Sequence, residues 1–454
     1  MTIKKECVEH RRKAPDTSNI SLIEKHKQAA FVFSEACHVM KCHHKRDGPE
    51  QKELSVLLRC FKGDGLPTQK LSNKLKEVIP DVSHFTTNDF LYIESCLMRF
   101  HRGVPIDVDK LARCRKQLLS YKDDFNKLCG LGVIKIYEGN DLTIDFNHPL
   151  FATQLNSSWP REDDGTPTLD WDVLKGLAIP FAQSIYRAMC YFYSKSLLNF
   201  TVSPSGLHHF YANPFAATTG REAPRGNAFI YIPKETRNYI LWPRPGNQIF
   251  ILDYVAQEVG AVAALAGDKE LWSAYEDGDV YLELKSRSTL FLEMPRRIFK
   301  VLCISHLYGM TVHGIKKKFH VSAQQAQQWY SELRLIFEVV NRYLDIKVTR
   351  AIAEGIATVK GYSCLIESFR SKESIRNFYV QATCAKILHK LCLLLDESNL
   401  KTIFCIHDSV SCSAPLHDEK AQPLTEKLMG DASESLLGPG YRLRVECEYF
   451  NKNN

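Results

Sequence analysis

Apolar residues along the chain recur with two different periods, and the switches between them predict the elements. From Thr86 to about Cys129 they follow the spacing of an amphipathic helix. Pro105 breaks that pattern within Gly103-Val104-Pro105-Ile106-Asp107, because its ring removes a backbone donor and the residue before it avoids helical geometry. Residues 156–170 (NSSWPREDDGTPTLD) are polar and rich in turn formers, so they predict an exposed loop. Gln248–Asp253 (QIFILD) is a short apolar run with branched and aromatic residues, hence a strand. Gln257–Ala266 reads as a helix stopped by Gly267. Pro295 opens another, running to Gly309, and Ser322 caps a long helix reaching about Glu354. Segment 373–396 is helical again. Thr402–His407 and Val410–Ala414 flank a tight turn carrying Asp408, a hairpin, and Arg442–Phe450 alternates as a final strand. The first 85 or so residues are mixed and basic, with helical spacing in LIEKHKQAAFVFSEA and a turn signal in KGDGLP.

Composition narrows the class rather than the function. The 454 residues are 44% hydrophobic and 24% charged, the balance of an ordinary soluble protein long enough for two or three domains. No apolar run approaches the ~20 residues a membrane helix needs, and MTIKKECVEHRRK has no apolar stretch after its charges, so a membrane partner and a secretory leader are not expected. Fifteen cysteines, mostly in apolar settings, suit a reducing compartment and a cytoplasmic location. The net charge of +7 and clusters such as Lys316-Lys317-Lys318 would suit a polyanion, although most charge runs are solvated surface. Cys7, His10, Cys37, His38, Cys42, His43 and His44 could be read as a zinc site, but their irregular spacing favours buried thiols and surface histidines.

The candidate chemistry lies in two aspartates. Asp253 closes the predicted QIFILD strand and Asp408 sits at the hairpin tip, so rigid elements could deliver both to one cleft. Such a pair can hold divalent cations ~3.5–4 Å apart, which activate an attacking hydroxyl and neutralise a leaving phosphate. Magnesium needs few protein carboxylates because substrate phosphates complete its shell. A single aspartate at a strand end is more often a turn former or cap, so the pair gains meaning only from its neighbours.

Those neighbours are DYVAQEVGAVAALAGD (Asp253–Asp268), RRIFKVLCISHLYGM (Arg296–Met310) and CIHDSV (Cys405–Val410). In this order they resemble motifs A, B and C of the family A DNA polymerases, the group of bacterial DNA polymerase I. Arg296, Lys300, Ile304 and Tyr308 stand four apart and so share one helical stripe, where the two cations could clamp phosphate oxygens. The resemblance implies that Asp253, Asp408 and the backbone carbonyl of Tyr254 hold two Mg2+, with Mn2+ able to substitute, and that no Zn2+ is needed. It also implies that Lys300 donates a proton to the leaving pyrophosphate. Glu258 would exclude a ribose 2′-hydroxyl, while Arg296, Lys300, Ile304 and Tyr308 would meet the incoming deoxynucleoside triphosphate. Further likeness lies in TTGREAPRGNAFIYIP (Thr218–Pro233), RNFYVQATCAKIL (Arg376–Leu388) and RGVPIDVDKL (Arg102–Leu111). Through these, Arg221, Asn377, Gln381, His407, Tyr308 and Gly309 would contact primer–template DNA. The implied fold is α+β, a right hand whose antiparallel palm sheet carries the aspartates. Its expected parts are an accessory segment or reduced exonuclease remnant over 1–85, a thumb over 86–200, and palm with fingers over 201–454, the fingers at about 270–370.

The likeness is to short, phage- or plasmid-type versions, and it has gaps. Ser409 stands where the family usually has glutamate, Ile304 where it has Phe or Tyr, and Gly260 where it has arginine. No D-x-E strand occurs in the first 100 residues, so no intrinsic 3′–5′ exonuclease is expected. Two other functions fit the same motifs: a ribonucleotide-tolerant polymerase, which Glu258 opposes, and a degenerate polymerase serving as a DNA-binding replication accessory, which the intact aspartates oppose.

Overall fold

The computed structural model describes residues 87–450, apart from 138–140, 155–158, 162–166, 211, 225–226 and 399. The N-terminal Cys/His groups and the rest of the accessory segment lie outside the described residues. What is described divides into two compact units, one containing Val104–Phe210 and Gly226–Trp242, the other the remainder.

In the first unit, Asp107 caps the helix Val108–Gly130 by accepting from the amide of Lys110 at 2.9 Å. That helix packs along Pro180–Ser194, where Pro180 presets the first turn, and Arg187 pairs with Asp124 at 2.6 Å across the two helices. Their shared core holds Leu128, Phe151, Leu174, Ile185 and Met189. Trp159 belongs to it as well. It is buried, its ring lies tilted against Phe151, and its Nε1 donates to the carbonyl of Thr168 at 3.1 Å. The stretch expected to be a loop throughout is therefore pinned at its start, because one large apolar ring outweighs the polar residues around it.

The second unit is built on an antiparallel sheet. The elements of this unit that frame the site are, in chain order, α1 (Thr87–Arg102), β1 (Asn247–Tyr254), α2 (Gln257–Ala266), α3 (Arg296–Leu307), α4 (Lys372–Glu397), β2 (Lys401–Ile406), β3 (Ser409–Pro415), α5 (Ala421–Leu437) and β4 (Val445–Phe450). The strand order is β2-β3-β1-β4, so β1 is paired on both edges. Helix α4 packs on α1 and α5 and contributes seventeen buried residues to the core. It is also long and apolar enough by composition to cross a membrane, with 83% of the relevant window buried in the protein. The expectation that no segment approaches that length is thus corrected. Its periodic polar residues, among them Lys386 and His389, hid the apolar content from inspection.

The long helix expected from Ser322 to Glu354 is two helices, Ala323–Ile336 and Glu338–Glu354. They break at Phe337, whose backbone (φ −105°, ψ 31°) leaves the helical region as its fully buried ring stacks on His306. Neither glycine nor proline marks the break, so tertiary packing decides it.

Candidate active site

Asp253 reaches open space through strand alternation. Phe250, Leu252 and Tyr254 turn to the packed side of β1, and the Tyr254 hydroxyl donates to the carbonyl of Met429 at 2.8 Å. Asp253 is left on the other face. The register sets Ser409 of β3 and Glu446 of β4 directly opposite it, one on each side.

Asp408 comes from the turn of the β2–β3 hairpin. His407 adopts a left-handed φ of 55°, which lets two residues reverse the chain. The turn is tied down twice: Ser409 Oγ donates to the Ile406 carbonyl at 2.9 Å, and the Tyr254 amide donates to the Asp408 carbonyl at 3.3 Å. The second bond joins the two motifs directly and sets the Asp253 and Asp408 carboxyl groups close enough to act on each other. Surrounding protein, then the Asp408 and Glu446 carboxylates, push Asp253 up to about 7 against the pull of Lys300. Asp408 is raised too, first by burial and then by Glu258. Like charges this close hold a shared proton near neutrality unless a cation takes its place.

Both aspartates, Tyr254, His407, Glu258, Arg221, Arg296, Lys300 and Ile304 line one cleft of about 530 Å³. Glu258 sits in the first turn of α2, where its Oε1 accepts from the Tyr308 hydroxyl at 2.6 Å and lies 3.5 Å from Arg221. Burial, then the Glu258 charge, keeps the Tyr308 hydroxyl protonated. Arg296 is paired with Asp279, whereas Lys300 stands exposed one turn further along α3.

Four residues expected to touch DNA, Asn377, Gln381, Tyr308 and Gly309, lie away from that lining. Asn377 and Gln381 are half-buried, one turn apart on α4, and Asn377 Oδ1 has no hydrogen-bond partner among the described residues. Gly309 ends α3 with φ 88°, and a Cβ there would stand 2.9 Å from Glu373 Cβ. Its glycine is explained by that approach to α4. Gly260 has a similar cause. A Cβ would fall 2.6 Å from Leu443 and 2.8 Å from Tyr275, so α2 packs where the family's arginine would not fit without a shift.

Sequence reasoning missed Tyr281, Arg444 and Glu446, which also line the cleft. The alternation of 442–450 was visible, but nothing in it named β1 as the partner strand.

The oxygens at this strand end are the hard carboxylates of Asp253 and Asp408, and among the described residues no side-chain cation is bonded to either. Among the described residues no three His, Cys, Asp or Glu side chains form a metal-holding group.

Comparison with known proteins agrees with the motifs. The family described as DNA polymerase family A matches residues 144–450. DNA polymerase I of Chloroflexus aurantiacus is 24% identical over 265 residues, 52% of this chain and 28% of its own. The DNA polymerase of Mycobacterium phage L5 is 24% identical over 217 residues, covering 46% of this chain and 35% of its own, and the thermostable DNA polymerase I of Thermus aquaticus is 24% identical, covering 53% and 32%. The matches thus span about a third of the relatives' length. A solved structure of the POL domain of Pol1 from M. smegmatis, in complex with DNA primer-template and dNTP, superposes with a TM-score of 0.65 at 17% identity, covering 94% of this chain and 81% of that one. The right-hand α+β fold is shared, and the chain belongs to family A of the DNA polymerases.

Proposed function

We propose that this protein is a template-directed DNA polymerase, extending a primer 3′-hydroxyl with deoxynucleotides. The observation that carries the reading is the meeting of Asp253 and Asp408, remote in sequence, in a cleft that also holds Lys300 and Arg296. Asp253, Asp408 and the Tyr254 carbonyl would hold two Mg2+, or Mn2+ in their place. When bound, such ions activate the attacking hydroxyl and offset charge on the leaving pyrophosphate.

The chain's own groups do the rest. Lys300 and Arg296 attract and orient the triphosphate, and Lys300, exposed at its end of α3, donates a proton to the departing pyrophosphate. Glu258 is fixed by Tyr308 and Arg221, so its carboxylate occupies the sugar edge and leaves no room for a 2′-hydroxyl. Ile304 supplies an apolar contact to the base without the flat ring the family usually has there. Arg221, His407 and Gly309, with Asn377 and Gln381, make up the DNA-facing set. The unpartnered Asn377 Oδ1 is consistent with an outside donor there. We further propose that the first unit acts as a thumb, that the location is cytoplasmic and that proofreading is absent.

Primer extension tests this. Purified protein with primer–template, Mg2+ and deoxynucleotides should lengthen the primer, should use ribonucleotides far less well, and without nucleotides should leave a mismatched 3′ end intact. Tight primer–template binding with no extension in Mg2+ or Mn2+ would establish the accessory role instead. Preferred use of ribonucleotides would overturn the Glu258 assignment.

A further inference from the structure

We infer that Arg444 is an additional binding residue for the phosphate tail of the nucleotide, an inference that rests on the polymerase reading above. Arg444 precedes β4 and is fixed from both sides. Its amide donates to the Tyr275 hydroxyl at 2.8 Å, and its carbonyl accepts from the amide of Val255, two residues past Asp253, at 2.9 Å. Its Nη1 donates to the carbonyls of Tyr275, at 2.9 Å, and Gly278. The next residue, Asp279, holds Arg296. Two arginines remote in sequence therefore converge on one corner of the cleft wall, Gly278–Asp279.

They are held in different ways. Asp279 answers the charge of Arg296, whereas Arg444 is anchored by neutral carbonyls and has no carboxylate ion pair among the described residues. Glu446, two residues further on, does not pair with it either. An arginine held this way has no counter-charge, and its planar fork has donors left over, at Nε and Nη2.

A second observation points the same way. Tyr281 is among the residues lining this cleft, is 2% exposed, and its buried hydroxyl has no hydrogen-bond partner among the described residues. Its ring lies 5.6 Å from the Arg296 guanidinium and 5.7 Å from the Lys300 ammonium. A buried donor without an acceptor is costly unless a ligand brings one. An uncompensated guanidinium, an orphan hydroxyl and two further cations in one cleft all ask for anionic oxygens. A triphosphate, or pyrophosphate alone, supplies them.

The test starts from the native chain. Arginines are labelled with phenylglyoxal, with and without saturating pyrophosphate, and read by mass spectrometry. Pyrophosphate should protect Arg444 while leaving Arg342, 69% exposed, labelled as before. In steady-state primer extension, Arg444→Met should raise the nucleotide KM about tenfold and weaken pyrophosphate inhibition equally, the loss of one charge-assisted contact. Its kcat and primer–template affinity should stay near wild type, and Arg444→Lys should fall between. Equal labelling of Arg444 with and without pyrophosphate overturns the inference. So does a folded Arg444→Met with unchanged KM and pyrophosphate inhibition, or one that loses kcat and DNA affinity instead. If Arg444→Met does not fold, the labelling of the native chain decides. A native chain that extends no primer sinks the polymerase reading, while protection by pyrophosphate still reports on Arg444.

Discussion

Around Asp89 and Arg99 each buried charge meets an opposite one, whereas at the end of β1 carboxylate meets carboxylate. In the first region Lys386 of α4 reaches Asp89 of α1 at 2.6 Å with both side chains under 10% exposed, and Arg99 bonds Glu222 at 2.7 Å beside the Tyr92 hydroxyl. Desolvating such charges is expensive, and only mutual pairing keeps them in the core. In the second, burial and the Asp408 and Glu446 carboxylates raise the proton affinity of Asp253, burial and Glu258 raise that of Asp408, and among the described residues no side-chain cation is bonded to either aspartate. One region has settled its electrostatics internally, and the other leaves them for something that binds. That difference separates a charged cluster that holds the fold from one that acts.

Replacing Asp253 with Asn should break the contrast most visibly. Extension rate should fall by about a thousandfold, as expected when several kcal/mol of cation-borne stabilisation are lost. The melting temperature at pH 8 should not fall, because a repulsive pair has been relieved. A clear drop on thermal melting would mean the aspartates stabilise the fold, and the comparison would collapse. Next in size, Lys386→Met removes the cation facing Asp89 and should cost about 3 kcal/mol in denaturant unfolding, since a buried pair loses one partner. A loss below roughly 1 kcal/mol would place that pair with ordinary surface bridges.

The smallest effect concerns groups the core keeps neutral. Burial lowers His306 to about 3 and His389 well below its ordinary value. As pH falls below ~6.5 the unfolded chain takes up protons that these folded histidines refuse, so stability is present above that pH and declines below it, for His306 down to about 3. Each should remove about 1.4 kcal/mol per pH unit within that window. Unfolding free energies that stay level between pH 6.5 and 5.5 would show the histidines are charged or relaxed in the native state.

Much of the site was legible because its residues sit at fixed spacings on single elements. Arg296, Lys300, Ile304 and Tyr308 share a helical stripe whatever the rest of the chain does, and the strand-end position of Asp253 follows from alternation within β1. What remained hidden depends on which elements meet. Arg444 and Glu446 join the cleft only because β4 pairs with β1, and no local pattern announces that partner. The break at Phe337 and the burial of Trp159 are likewise decided by a neighbouring core, in a polar or helix-favouring stretch that reads otherwise. The glycines at 260 and 309 could be seen but not explained until Leu443, Tyr275 and Glu373 were placed beside them.

Because Gly309 lets the tail of α3 rest on the first turn of α4, the helix that offers Lys300 is indexed against the helix that offers Asn377 and Gln381. One added methyl group at that point would act as a shim between them. On the proposed reading, the grip on an arriving nucleotide and the hold on the duplex would then slip out of alignment together, though neither set of contacts had been altered.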